Sequence, residues 1–409
     1  MAPLCPDPAD ARTECPTYMR LTVVTSNYPS RSRPSCGTFV REAVRAFSRQ
    51  GAECRVICPT SFADLRYGAL DGFRTIDQTE DHSTVETLRP RHLTFSSKSV
   101  LGFNTGVMSD ACFEGAAARV AAGLVDRTDV LYGHFLYPSG RTVARLGKKY
   151  GLPVFVAHGD GVLNEMYSGH AAEDFRDVTG AIAVSRPNRK FCENVLHLPP
   201  ERVGLFPNGV DLRKFRPLDK VEMRLRLGLP ADGRLVAFVG HFLHIKGPDR
   251  VIEAVERLEN VQVLVIGSGP MKLSSSRIAF LGEVDHQALP EYLCAADVFV
   301  LPTLEEGCCN SLLEAMACGL PVVSSTGEFN DDILNESVSI RVDPLDVSAI
   351  SGAVEKVLDD ESLKLRMSSN CRVHSQKFSV DNRARAILDW IESLVGRPDT
   401  LENAGRRRQ

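Results

Sequence analysis

The stretch that decides the fold is VFVLPTLEEGCCNSLLEAMACGLPVVSS, Val298 to Ser325. Its apolar opening, Val298 to Pro302, suits a strand buried on both faces. Thr303 to Gly307 is a polar loop. Asn310 to Cys318 is rich in helix formers, and Gly319 then supplies a residue that tolerates positive φ, a common helix stop. Pro321 to Ser325 is a second apolar strand. This order puts the loop and the first helical turn at the carboxyl end of a parallel sheet, where open α/β folds bind ligands.

Two carboxylates frame the element, Glu306 before the helix and Glu314 on it. A helix amino end offers unpaired N–H groups and positive potential, which suits a diphosphate. A carboxylate on either side can accept hydrogen bonds from sugar hydroxyls. Two glutamates at this spacing alone would read as a solvated helix face. Here they are joined by Gly307 and by a Gly-Leu-Pro-Val-Val strand entry, and the whole resembles the retaining GT-B glycosyltransferases of the family 4 (group 1) type. The resemblance runs from Met19 to about Val395 and is strongest from Phe206 to Asp332. It implies an α/β protein of two doubly wound, Rossmann-like domains whose parallel sheets face each other across a cleft. It also implies a last helix that crosses back to the first domain. The activity it implies is sugar transfer from a nucleotide-diphosphate sugar to a glycan, lipid-linked or small-molecule acceptor, with retention of anomeric configuration.

Size and composition agree with such a protein. A chain of 409 residues can build two full cores. A formal net charge of −4 gives no reason to expect nucleic acid as a partner. No apolar run reaches the length of a membrane helix, and residues 1–18 lack the apolar core of a secretory signal. The 12 cysteines show no paired C-x-x-C spacing, which disfavours a zinc site and a disulfide framework and points to a reducing cytoplasm. The basic tail Arg406 to Arg408 reads first as solvated; it could also support weak peripheral contact with the inner face of an anionic membrane. The sequence does not fix an oligomeric state.

Strand and helix patterns alternate along both halves, as in parallel doubly wound sheets. Residues 1–18 read as a disordered extension, 19–207 as an acceptor domain and 208–375 as a donor domain. Residues 376–395 read as the crossover helix and 396–409 as a flexible tail. The boundary is the polar turn PNGVDLRKFRP, which matches the family's connection between domains. In the first half, TFVREAVRAFSRQG is a helix with Phe39, Val40, Val44 and Phe47 near one face. Residues 61–105 show little periodicity and read as an irregular insertion. The last helix, Ser379 to Val395, carries Ile387, Leu388, Ile391 and Leu394 on one stripe.

The expected chemistry follows from the needs of glycosyl transfer. Charge building on the departing diphosphate must be met by cations and N–H groups, which can act without a metal; no Asp-x-Asp stands where it would hold one, so no cofactor is expected. Lys246, just before a glycine and a helix, is the candidate ammonium. The family pattern has an arginine five residues earlier; this chain has His241, which titrates near neutrality instead of keeping a fixed charge. Glu306 is assigned to donor-sugar hydroxyls and Glu314 to ribose hydroxyls. Gly307, Cys308, Cys309 and Asn310 would present backbone groups to the donor. The two thiols otherwise read as small packing residues, for no base stands beside them. Gly37 is either a backbone turn or an N–H close to a donor phosphate. The resemblance makes His158 a residue facing the cleft near the reacting carbon, whereas a lone histidine would more often be structural. His134, placed on a loop, and Asp160 are acceptor-side candidates. Asp331 and Asp332 read as helix caps. Front-face attack is expected, since no covalent nucleophile is evident. Two alternatives remain at this level: a sugar-nucleotide epimerase of the same fold, and a catalytically silent module that binds nucleotide sugars.

Overall fold

The computed structural model of the protein describes residues 19–34, 36–78, 84–95, 99–100, 103–159 and 169–396. The extension over 1–18, Asp160 and the basic tail lie outside the described residues. The chain forms two α/β lobes. The first sheet contains β1 (Arg20–Val24), β2 (Glu53–Ile57), β3 (Arg74–Gln78), β4 (Thr84–Leu88), β5 (Val130–His134), β6 (Val154–His158), β7 (Gly180–Ala183) and β8 (Val203–Leu205), in the order β8-β7-β6-β5-β1-β2-β4-β3. All neighbours are parallel except the edge pair β3/β4. Neighbouring residues of one strand enter different cores: Val23, Val56 and Phe155 pack on one face, Val24, Ile57 and Val156 on the other. Burial on both faces is why these strands read as continuous apolar runs.

Among the helices described in this lobe are α1 (Thr38–Arg49), α2 (Gly106–Ala121), α3 (Arg141–Tyr150) and α4 (Arg186–Asn194). The second lobe begins with α5 (Lys220–Arg226) and the strand β9 (Arg234–Val239). It continues through α6 (Pro248–Glu256), β10 (Val261–Ile266), β11 (Ile278–Gly282), α7 (Leu289–Ala295) and β12 (Val298–Leu301). It is completed by α8 (Asn310–Ala317), β13 (Val322–Ser325), β14 (Ser339–Val342), α9 (Val347–Asp359) and α10 (Glu361–Ser375). Its six strands are all parallel, in the order β11-β10-β9-β12-β13-β14. Gly319, at φ 84°, ends the α8 segment as its position suggested.

The last helix, α11 (Val380–Val395), returns to the first lobe. Val380, Ala384, Ile387, Leu388 and Ile391 join the core between α1 and the first sheet, and Arg49 on α1 pairs with Asp381 at 2.7 Å. The outgoing and returning crossings are bonded to each other: Val210 N–H donates to Phe378 O at 2.8 Å, and Val380 N–H to Val210 O at 3.0 Å. Gly209 permits this approach, because a Cβ there would lie 2.6 Å from Val380 Cα.

Within 61–105 the described residues are more ordered than expected. Strands β3 and β4 form an antiparallel edge on the first sheet. β3 exposes residues on both faces, so it has no apolar alternation to read. The helix α10 also escaped the periodicity, for it buries only Met367, Cys371 and Ser375. Phe39 departs from its expected face: Val40, Val44 and Phe47 are buried, whereas Phe39 is 39% exposed and turned to the cleft. Among the described residues, no helix is long and apolar enough to cross a membrane.

If α11 is part of the first lobe's core, Ile387→Ala should destabilise the protein by about 2–4 kcal/mol, the usual cost of emptying a fully buried site. Urea denaturation followed by tryptophan fluorescence reads this directly, since Trp390 sits on the same helix against Phe155.

Candidate active site

In each sheet the strand order reverses once, between β1 and β5 in the first and between β9 and β12 in the second. Loops leaving two such strands diverge and open a crevice at the carboxyl edge. Here the two crevices face one another across a cavity of about 780 Å³. Its walls include Thr38, Phe39, Glu42 and His134 from the first lobe, and His241, Lys246, Glu306, Cys308, Cys309, Asn310 and Glu314 from the second. The connection between lobes adds Asn208 and Lys214, and α11 adds Arg383.

The loops after β9 and β12 are stitched together. Arg250, 5% exposed, donates to His244 O and Pro302 O, both at 2.9 Å. Leu304 N–H donates to Ile245 O at 2.8 Å. Gly247 stands at φ 73°, and a Cβ there would meet the Arg250 guanidinium at 2.4 Å. This frame sets Lys246 against Glu306, Nζ to Oε1 at 2.5 Å, each side chain 19% exposed. The two candidates thus form one ion pair at the amino end of α8. Along that helix, Glu314 accepts from His286 Nε2 at 2.8 Å.

The Cys308–Asn310 segment is fixed by the connection between lobes. Asn208 Nδ2 donates to Cys308 O at 3.0 Å and to Asn310 Oδ1 at 2.9 Å. Burial pushes the Cys308 thiol up to about 12 and that of Cys309 higher still. Both are therefore neutral, poor nucleophiles. Gly307 is not a wall residue; a Cβ there would sit 2.3 Å from Gly159 O, so it is the point where the lobes touch through bare backbone. Asp332 bridges the lobes as well, accepting from Arg186 N–H at 2.6 Å at the start of α4. It caps a helix of the opposite lobe, not its own. Asp331 ends the short 3-10 turn Glu328–Asn330 through its backbone, and its carboxylate pairs with Arg341 at 2.6 Å.

On the first-lobe wall, Gly37 adopts φ 70° before α1 and lies against Asn27; its neighbours Thr38 and Phe39, not Gly37, reach the cavity. His134 ends β5 instead of riding a loop. Its ring packs on Phe39 and Phe135, and burial, with a smaller push from Arg383, lowers its pKa to about 3. His158 ends β6, is 1% exposed and packs on Phe191 at 4.7 Å. Its expected place facing the cleft is corrected: the ring is enclosed and is not among the cavity walls. Burial lowers its pKa to about 4, so it is neutral near pH 7. His241 does line the cavity, and Lys214 and Arg383 add basic groups that sequence reading missed. Lys214 stood in the quoted connection, PNGVDLRKFRP; Arg250 and His286 lay in no motif that would have singled them out. Among the described residues no three His, Cys, Asp or Glu side chains gather where they could hold a metal ion.

Two parallel-sheet lobes, closed over a site at facing switch points and tied by a returning helix, define the GT-B class of glycosyltransferase. The family model described as Glycosyl transferases group 1 matches residues 219–374, and that described as Glycosyltransferase Family 4 matches residues 36–214. The chain belongs to these GT-B group 1 glycosyltransferases. It is 26% identical to a putative teichuronic acid biosynthesis glycosyltransferase, TuaC, of Bacillus subtilis, over 92% of this chain and 99% of that protein. A D-inositol 3-phosphate glycosyltransferase of Xylanimonas cellulosilytica is 30% identical over about half of either chain, 48% and 53%. The sucrose-phosphate synthase of Thermosynechococcus elongatus superposes with TM-score 0.74 at 19% identity, covering 92% of this chain and 99% of that one. Anabaena HepE, solved with UDP and glucose, superposes with TM-score 0.70 at 16% identity over 92% and 100%.

Two outcomes test the frame. Arg250→Met should cost about 2–4 kcal/mol, because the buried Pro302 carbonyl and the part-buried His244 carbonyl lose their donor; chemical denaturation measures it. His134 binds a proton more readily unfolded than folded, so its stabilisation is complete above about pH 6.5 and fades as pH falls towards 3. At pH 5 it should already have cost about 2 kcal/mol, and His134→Gln should flatten that part of a stability-against-pH profile.

Proposed function

We propose that the protein transfers a sugar from a nucleotide-diphosphate sugar to a carbohydrate, lipid-linked or small-molecule acceptor, with retention and without a metal. The observation that carries this reading is the meeting, on one interlobe cavity, of the α8 amino end, the Lys246–Glu306 pair and Glu314. The diphosphate would lie at the amino end of α8, where the helix dipole and N–H groups favour anions. Lys246 would shift from Glu306 to the phosphate oxygens and stabilise the leaving group as charge grows on it. Glu306, released, would accept from hydroxyls of the donor sugar. Glu314 would take the ribose hydroxyls. His241, on the cavity wall, stands where the family pattern has an arginine. Front-face attack is supported by the neutral state of Cys308 and Cys309.

Several relatives support a nucleotide-sugar donor. HepE is described in complex with UDP-glucose, and a starch synthase of Arabidopsis thaliana with ADP and acarbose. The name of the Bacillus relative supports a polysaccharide product. A soluble protein working in the cytoplasm, resting on a membrane where its acceptor is lipid-linked, fits this reading.

The test is a panel of UDP-, GDP- and ADP-sugars screened by thermal shift, followed by transfer assays in the presence of EDTA. One donor should raise the melting temperature, and its product should carry the donor's anomeric configuration by NMR. Glu306→Ala should lower kcat by about 100-fold or more, as the loss of a transition-state contact worth about 3 kcal/mol does. An inverted product, dependence on added metal, or release of an epimerised sugar without acceptor would each contradict the proposal.

A further inference from the structure

His286 and Lys214 line the same cavity, and the proposed transfer gives them no direct part in bond breaking. They come from separate segments: Lys214 from the connection between lobes, His286 from the loop after β11. The Lys214 ammonium stands 2.5 Å from His286 Nδ1, and His286 Nε2 stands 2.8 Å from Glu314 Oε1. An ammonium can only donate, so Nδ1 must accept. The proton of the neutral imidazole is thereby placed on Nε2, where it is donated to Glu314. The ring is also held by packing. Phe215, 2% exposed, lies 5.3 Å from it, and Lys214 Nζ sits 4.9 Å from the same phenyl ring. The Glu314 side chain is only 12% exposed and, among the described residues, makes no other hydrogen bond. One of its oxygens is committed to the imidazole. The other remains for a ligand.

We propose that His286, with its tautomer fixed by Lys214, is a positioning residue that aims Glu314 at the vicinal diol of the donor's ribose. This rests on the reading of Glu314 as the ribose acceptor. A carboxylate on a long side chain must lose rotamer freedom to accept two hydroxyls together. The imidazole removes that freedom beforehand, so less is lost when the nucleotide binds. The cation that orients the imidazole belongs to the segment on which the chain passes between lobes. The ribose subsite is therefore set by contributions from three stretches distant in sequence.

The experiment compares binding of UDP, GDP and ADP with their 2′,3′-dideoxy counterparts by calorimetry, on the full chain, using the nucleotide that binds best. The unaltered protein should prefer the ribonucleotide by about tenfold or more, as expected when hydroxyls bonded to a charged acceptor are removed. In His286→Phe, which keeps a ring but no donor, that preference should shrink to about twofold, since Glu314 is no longer aimed. His286→Gln retains an N–H and should recover part of it. Lys214→Met should erode it in the same direction. Inorganic pyrophosphate, which has no ribose, should bind the unaltered protein and the His286 variants alike; a general structural defect would weaken it too. A folded His286→Phe that keeps the full preference overturns the proposal. Should that variant fail to fold, a folded Lys214→Met with the full preference overturns it equally. If the unaltered protein itself shows no preference for ribose, the ribose role of Glu314 falls, and the positioning role falls with it.

Discussion

A buried guanidinium holds the carboxyl edge of the second lobe in shape. Removing the charge of Arg250 from water costs several kcal/mol unless hydrogen bonds replace hydration. Two carbonyls do so here, one from each of the loops that diverge at the strand-order reversal. The loops would otherwise part, because their strands lead to opposite ends of the sheet. With them tied, Lys246 and Glu306 are brought into contact, and the polypeptide enters α8 pointing at the cavity. Gly247 belongs to the same constraint, since a side chain there would occupy the space of the guanidinium.

Neither lobe owns the site. Asn208, on the outgoing connection, bonds the backbone at Cys308 and the side chain of Asn310. Arg383, on the returning helix, donates to Pro207 O at 2.8 Å. The two crossings are paired like short strands, which leaves them little freedom except to flex together. On the opposite flank the lobes meet through Gly159 and Gly307 and through Arg186 and Asp332. A cavity bounded in this way changes its dimensions only if the paired crossings bend.

The sequence made the architecture legible wherever a stretch was buried on both faces or carried a motif. The strand-loop-helix-strand element at Val298–Ser325 and the stop at Gly319 had such signals, whereas the return of the last helix was implied by the family resemblance alone. Edge strands and mostly solvated helices had none: β3 has no hidden face, and α10 hides too few residues to mark a stripe. Within the site, residues next to a recognisable motif were found, including Glu306, Glu314, Lys246 and His241. Those assembled only by folding were not. His286 meets Glu314 across 28 residues, and Lys214 meets His286 across 72. The two strand-end histidines show the same limit. Both follow apolar strands and precede loops, yet His134 reaches the cavity, whereas His158 is enclosed and packs on Phe191. Local sequence cannot encode which of two similar positions a distant loop will cover.

The thiols near the cleft carry a practical consequence. Cys36 and Cys112 are half-buried, whereas the other described cysteines are buried, among them Cys308 and Cys309. Among the described residues an alkylating reagent therefore meets two tiers of sulfur: an outer pair open to slow attack in the native fold, and an inner set shielded until the molecule loosens. Labelling at Cys308 in particular would require the Asn208 bridge to let go. The chain thus carries its own stopwatch for separation of the lobes, readable by mass spectrometry without attaching any dye.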